Sequence, residues 1–320
     1  MMISPAVLEE IYWEERWLTL EAEGNVDLPA YTGSTMRGAL GTVLRPELCA
    51  REGRCGEVCE APEACPFFGL FEQSRGGNGK GSNQPKPLVL EAPLAEPLGE
   101  IARGGTVEAP YELTPGVRGL PVLRNEWRIG VPAGERLQLG LKGLGAAGGA
   151  LDGVVEGVRR KGLEVKGGRL RLAEVSGGRK RLEIEETSGA RRVRVNLLTP
   201  VLIKDGDRTC EEPGRLAELV LNQALVRAVT IYNTFFGRER VPFVKPEWPG
   251  VVATGWRLFR YDLTRRSYRQ GRWMDFDGVV GWLEYEGAVE SVLPWLRAAE
   301  VLHVGQKASF GLGRVEVRWE

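Results

Sequence analysis

RRVRVNLLTPVLIK (191–204) followed by PGRLAELVLNQALVRAVTIYNTFF (213–236) decides the fold of this chain. The first segment reads as a strand. The second reads as a long helix with Pro213 near its start, where a helix tolerates proline. Leu216, Leu219, Val220, Gln223, Val226, Arg227, Thr230 and Ile231 fall on one stripe of it. Downstream, 251–262 and 276–286 read as strands, 287–299 as a helix, and GRVEVRW (313–319) as a last strand. The order β-α-β-β-α-β predicts a ferredoxin-like half, a sheet with its helices on one face.

Toward the N-terminus the order is looser. Residues 11–22 read as a strand, and 33–46 as a short helix opened by Gly-Ser-Thr and stopped by Pro46. SRGGNGKGSNQPKP (74–87) has loop composition. Strand-like runs follow at 87–92, 107–113 and 135–142, and 145–161 has the length of a helix despite its glycines. Residues 162–184 alternate strands with Gly-Gly turns at 167–168 and 177–178, and ETSGAR (186–191) closes the half. The expected fold class is α+β, with two tandem ferredoxin-like, RRM-like domains spanning 1–188 and 189–320. A cysteine loop is inserted in the first and a glycine-rich loop (305–313) lies in the second.

The length of 320 residues fits two domains. Lys+Arg and Asp+Glu both number 43, which excludes a protein that coats nucleic acid by bulk charge. Of those basic residues 34 are Arg and 9 are Lys. The guanidinium fork suits phosphate and base edges, although a GC-rich or thermophilic source explains the bias equally well. With His303 as the only histidine, a mechanism needing two imidazoles is excluded. No run of 18 apolar residues exists, and the N-terminus carries acids where a secretion signal carries bases, so a cytoplasmic protein with no membrane partner is expected.

Cys49, Cys55, Cys59 and Cys65 form a C-x5-C-x3-C-x5-C array, with Cys210 alone. Four thiolates so close in sequence can wrap one tetrahedral ion, and zinc accepts an all-cysteine shell. A full shell leaves no open position, so this four-cysteine knuckle is expected to be structural, with no cofactor for catalysis. An iron–sulfur cluster and a metal-free loop are the alternatives.

Four stretches carry candidate chemistry. WRLFRYDLTRRSYRQGRW (256–273) sets Arg257, Arg260, Arg265, Arg266, Arg269 and Arg272 among aromatic rings, with Asp262 the single acid. Arginines and stacking rings together are what unpaired RNA requires; a solvated hairpin is the plain alternative. GQKASFGLG (305–313) has the glycines to turn backbone amides toward an anion, with Lys307 adding charge. His303 precedes that loop. The helix start YTGSTMRGALG (31–41) offers Arg37 and helix amides to an anion, or else close packing by small residues.

These pieces recur in one ordered series. It starts with Tyr31-x-Gly33-x-x-x-Arg37-Gly38-Ala39-x-Gly41-x-x-Leu44-Arg45, the four cysteines and Leu70-Phe71-Glu72. Leu216, Leu225, Arg227 and Phe236-Gly237 follow on the long helix. Then come Arg266-Ser267-Tyr268-Arg269-Gln270, Gly278-Val279-Val280-Gly281 and Leu302-His303-Val304-Gly305-x-Lys307-x-Ser309-Phe310-Gly311-Leu312-Gly313. The series resembles the CRISPR-associated RAMP-superfamily endoribonucleases that process precursor CRISPR RNA, in the group with the distinctive C-terminal domain. The resemblance implies tandem ferredoxin-like domains and binding of repeat RNA. It also implies metal-independent cleavage, in which a ribose 2′-OH attacks the adjacent phosphate and leaves a 2′,3′-cyclic phosphate and a 5′-OH.

Members often carry a catalytic histidine in or near the first helix; here Thr42 stands there, and the first half has no histidine. The catalytic candidates are therefore His303, Tyr31 and Lys307. The RNA-binding candidates are Arg37, Arg257, Arg260, Arg265, Arg266, Tyr268, Arg269, Gln270, Arg272, Gly305, Ser309, Gly311 and Gly313. A non-catalytic or weakly catalytic subunit holding the repeat handle beside other subunits of a CRISPR effector complex is the alternative, and an unrelated redox metalloprotein is a third.

Overall fold

The computed structural model describes residues 3–49, 65–72, 85–108, 111–116, 119–184, 189–237, 239–243, 246–267 and 272–320, with the backbone alone at 72, 264–267 and 272–274. The first half opens with β1 (Tyr12–Ala22), β2 (Val26–Pro29) and α1 (Gly33–Leu48). Then come β3 (Leu88–Glu91), α2 (Glu96–Arg103), β4 (Tyr111–Thr114), β5 (Val122–Asn125), β6 (Arg128–Val131) and β7 (Arg136–Leu144). It closes with α3 (Leu151–Lys161), β8 (Leu163–Val165) and β9 (Gly168–Arg181). The second half runs β10 (Arg192–Val201), β11 (Lys204–Asp205), β12 (Arg208–Thr209), α4 (Pro213–Phe235) and β13 (Val251–Tyr261). β14 (Thr264–Ser267), β15 (Arg272–Asp275), β16 (Gly278–Gly287), α5 (Leu293–Leu302) and β17 (Val315–Trp319) complete it.

Two mixed α/β layers result. One sheet has five strands in the order β3-β7-β1-β9-β8, the other six in the order β17-β10-β16-β13-β5-β4. The opening strand of each half lies inside its sheet. β1 is flanked by β7 and β9, and β10 by β16 and β17, all antiparallel. Strand alternation puts the apolar residues of one face against helices: Leu18 and Leu20 of β1 share a core with Met36, Leu40 and Leu44 of α1 and Val154 and Val158 of α3. Val193, Val195 and Leu197 of β10 share another with Leu216, Val220 and Ile231 of α4 and Leu296 of α5.

The second half follows the expected β-α-β-β-α-β order, with the short β14–β15 hairpin between its middle strands. The first half departs from expectation at several points. Residues 111–125 do not stay with their own half: β5 pairs in parallel with β13, and β4 pairs with β5, extending the second sheet. There is no turn at Gly177–Gly178. β9 runs straight through, because Gly177 passes so close to β1 that a Cβ would lie 2.3 Å from the Glu15 carbonyl oxygen. α1 does not stop at Pro46, which sits in its last turn, where the Cys49 amide still reaches Arg45 O at 3.0 Å. α2 was unforeseen, although Pro97 inside its first turn and left-handed Gly104 just past its end are ordinary start and stop signals.

A third apolar cluster joins the halves. Tyr31, Leu98 and Ile101 from the first pack with Leu202, Phe259, Phe276, Val280 and Leu312 from the second. Since Val280 faces this cluster while Val279 faces the α4–α5 core, the second sheet is covered on both sides. The glycine loop lies along this seam.

Candidate functional site

Between α5 and β17 the backbone turns repeatedly through positive φ, at His303 (63°), Gly305 (75°), Lys307 (65°), Gly311 (82°) and Gly313 (73°). Glycine is required at 313, where a Cβ would lie 1.9 Å from Val304 O. His303 is held where glycine normally stands, with φ 63° and ψ 172°, a conformation that costs about 1–3 kcal/mol. Its side chain secures it. Nδ1 donates to Leu312 O at 2.9 Å, which leaves Nε2 as the unprotonated nitrogen. Nε2 has no partner among the described residues, and the ring is fully buried. Burial, against the pull of Glu91, drives the imidazole pKa down to about 3, so the ring is neutral near pH 7.

The start of α1 docks on this loop. Tyr31 OH donates to Phe310 O, and a Cβ on Gly33 would lie 1.9 Å from the same oxygen, so only glycine fits the approach. Burial pushes the Tyr31 phenol well above its ordinary range, so it acts as a fixed donor. One turn on, Arg37 is buried between the rings of Phe71 (5.0 Å) and Phe310 (4.4 Å) and donates to Phe71 O at 2.7 Å. Thr199 Oγ1 donates to Gly311 O at 2.8 Å and accepts from Arg314 N at 2.9 Å, tying the loop to β10.

Behind the seam, Glu91 is buried against Lys142 and pairs with Arg314 at 2.9 Å. Burial works to raise the Glu91 pKa, but Lys142 and Arg314 outweigh it and hold the carboxyl below its usual range.

A cavity of about 580 Å³ opens between the loop and α4. Gln223, Val226, Arg227 and Thr230 of α4, Lys86 and loop residues 305–310 line it, and none of the lining residues is a carboxylate. Lys86 donates to Phe71 O at 2.8 Å. Lys307 donates to Asp275 O at 2.9 Å and lies 3.8 Å from the centre of the Phe276 ring. Arg227 Nε donates to Leu302 O at 2.6 Å, and burial lowers its pKa to about 10.

The candidates from the sequence fall into distinct groups. Gly305, Lys307 and Ser309 line the cavity; Gly311 and Gly313 shape the loop; His303, Tyr31 and Arg37 are buried behind it. Arg257 lies over the Phe259 ring at 5.4 Å. Arg260 is held by Asp262 (2.6 Å), Asp277 (2.9 Å) and Glu211 (3.3 Å), so its charge is matched within the protein. Arg265, Arg266 and Arg272 belong to the β14–β15 hairpin, whose last residue, Asp275, touches Lys307. Two stretches far apart in sequence thus meet at the loop. Tyr268, Arg269 and Gln270 lie outside the described residues, as do Cys55 and Cys59.

Cys49 and Cys65, the outer pair of the array, both pack on the first core, and Cys65 Sγ lies 4.0 Å from Leu48 O. The two ends of the insertion therefore lie close together. Among the described residues no group of three or more His, Cys, Asp or Glu side chains is arranged to hold a metal.

Much of the arginine excess is matched by carboxylates. Arg16 pairs with Asp152 (2.8 Å), Arg128 with Asp27 (2.7 Å) and Arg192 with Glu286 (2.7 Å). Exposed pairs of this kind are screened by water and present little net field to a polyanion. Among the described residues, the cavity lining includes Lys86, Arg227 and Lys307 and no carboxylate side chain.

A family model described as an N-terminal domain (AF_1859_N) matches residues 12–194. A second, for the CRISPR-associated endoribonuclease Cas6, matches residues 195–315, which take in α4, α5 and the glycine loop. Over residues 195–315 the chain carries a domain of the CRISPR-associated Cas6 family. It also carries the N-terminal domain of the first model, which spans more than half its length. An uncharacterized protein of Archaeoglobus fulgidus is 25% identical to this chain over 298 residues, 91% of this chain and 93% of its own. Thermus thermophilus Cas6 overlaps it with a TM-score of 0.48 at 17% identity, over 96% of this chain and 99% of that one. The product of a Cas6-related gene from Pyrococcus furiosus does so with a TM-score of 0.48 at 11% identity, over 96% and 98%. The match of residues 195–315 to the Cas6 model supports binding and processing of CRISPR repeat RNA. No helix among the described residues is long and apolar enough to cross a membrane.

Reading the sequence missed Lys86 and Arg227 as site residues. Arg227 did leave a signal: a cation placed four residues after Gln223 on a largely apolar stripe.

Proposed function

We propose that this chain binds CRISPR repeat RNA over the glycine loop and cuts precursor CRISPR RNA by internal transesterification. The carrying observation is the cavity at the seam of the two halves, whose described lining residues include Lys86, Arg227 and Lys307 and no carboxylate. In the reaction the ribose O2′ forms a bond to the adjacent phosphorus and the P–O5′ bond breaks. The 2′-OH proton leaves to a base and the 5′-oxygen takes a proton, giving a 2′,3′-cyclic phosphate and a 5′-OH. The chemistry needs in-line alignment and positive charge near the phosphorane, and no metal. Lys307, on the cavity wall, supplies charge; Tyr31 and His303 hold the loop from behind.

A second reading, RNA retention with little or no cutting inside a CRISPR effector complex, draws support from the burial of His303, which withdraws the chain's one imidazole from solvent. Loss of a general base typically slows cleavage about 10²–10⁴-fold, so the test uses enzyme in excess over repeat RNA, with EDTA present. Cyclic-phosphate product is expected. Tight binding without product would leave only the second reading, and absence of binding at low salt would remove both.

Each half is, in this proposal, a ferredoxin-like RAMP unit, and the insertion in the first is a zinc knuckle of Cys49, Cys55, Cys59 and Cys65. Zinc there would supply folding energy and no chemistry. Elemental analysis of the purified chain is expected to find one zinc per molecule. Cys55→Ser should lose the metal and melt earlier. A metal-free wild type, or a visible absorption band from an iron–sulfur cluster, would overturn the zinc assignment.

A further inference from the structure

We infer that the cavity between α4 and the glycine loop seats one nucleotide of the bound RNA, with its phosphodiester on Arg227. The inference rests on the RNA-binding reading above and names the residue that anchors it.

Arg227 stands apart from the matched arginines. Its Nε is committed to Leu302 O, and among the described residues no carboxylate lies within 4 Å of the guanidinium. Burial, with no nearby acid, is the cause that moves its pKa. A partly buried cation without a counter-ion is unfavourable, and the two remaining nitrogens form the fork that takes two oxygens of a phosphodiester.

The surroundings agree with a nucleotide. Gln223, Val226, Arg227 and Thr230 project from one face of α4 at spacings of three and four residues. Lys86 and Lys307 add positive charge, Gln223 and Gln306 can donate and accept at a base edge, and Val226 gives an apolar wall. At about 580 Å³ the space is in the range of small-molecule sites and larger than a bare anion needs. Because Arg227 also holds Leu302 O at the root of the loop, phosphate binding and loop position share one side chain.

Repeat-RNA binding by the wild type and by Arg227→Gln is measured across a salt series, together with repeat RNAs carrying one uncharged methylphosphonate linkage at successive positions. Arg227→Gln keeps an N–H near Leu302 O and loses the charge. Affinity is expected to fall about 10-fold or more, with the slope of log Kobs against log salt shallower by about one. One methylphosphonate position should weaken the wild type by a similar factor and add nothing to the loss in the variant. Should Arg227→Gln fail to fold, Arg227→Lys replaces it, with a smaller loss at the same single linkage. Equal affinity and slope for wild type and variant, or no linkage whose effect vanishes in the variant, would overturn the inference while leaving RNA binding intact. A wild type that ignores the repeat RNA would remove the functional reading itself.

Discussion

Glu91→Ala is expected to lower the free energy of unfolding by about 3–5 kcal/mol, as breaking a buried ion pair on one side typically does. Glu91 ends β3, and its carboxylate holds Lys142 of β7, 7% exposed, and Arg314 from the second half. With the carboxylate gone, Lys142 keeps a charge that neither water nor protein compensates. Arg314, which is 34% exposed, turns to solvent at less cost. Glu91→Gln retains an acceptor and should fall between alanine and wild type. Glu91→Leu combined with Lys142→Met should recover most of the loss, because an apolar pair removes the stranded charge along with its partner. Denaturant midpoints at constant m-value measure all four proteins. A loss below about 1 kcal/mol for alanine would mean that the pair is not closed off from water.

Acid should destabilise the fold along a predictable path. In the unfolded chain His303 takes up a proton as pH falls below 6.5, whereas the buried ring resists until about 3. Between those values the unfolded state binds the extra proton. Stability then falls with falling pH at about 1.4 kcal/mol per unit for that one group, which sums to several kcal/mol across the window. Glu91 works in the same direction lower down. Its depressed carboxyl contributes stability that is fully present above 4.5 and is lost as pH falls through its folded value. His303→Asn should flatten the upper part of the profile, from pH 6.5 to 4.5, and leave the lower limb in place. A wild-type profile flat across that upper window, or an imidazole that titrates near 6.5 in the folded protein by NMR, would mean that the ring reaches solvent. The same burial explains why the one histidine serves better as a brace for a strained backbone than as an acid or base.

The loop at 303–313 shows the reach of pattern reading. Glycines at 305, 311 and 313 announced a backbone that turns through positive φ, and the structure uses them so. The residues between gave no hint of depth. His303 is buried where distant segments meet: Leu312 O takes its hydrogen bond, and Glu91 and Lys142 of the first half lie near enough to act on its charge. The arginines taught a similar lesson. Arg260 and Arg227 look alike in sequence, but among the described residues three acids surround the first and none the second.

By itself, then, the order of residues determined the α+β class, the β-α-β-β-α-β run of the second half, the helical stripe of α4 and the turning of the glycine loop. These depend on local spacing and on the backbone freedom of glycine, which are properties of neighbouring residues. Tertiary structure alone decided that 111–125 cross to the second sheet, that Gly177 serves a close strand approach, and that Lys86, Arg227 and Lys307 line one cavity. Burial and ion pairing depend on which distant segments close over a side chain, and a charge exposed on an isolated helix becomes a binding group only when another part of the chain shuts out the water.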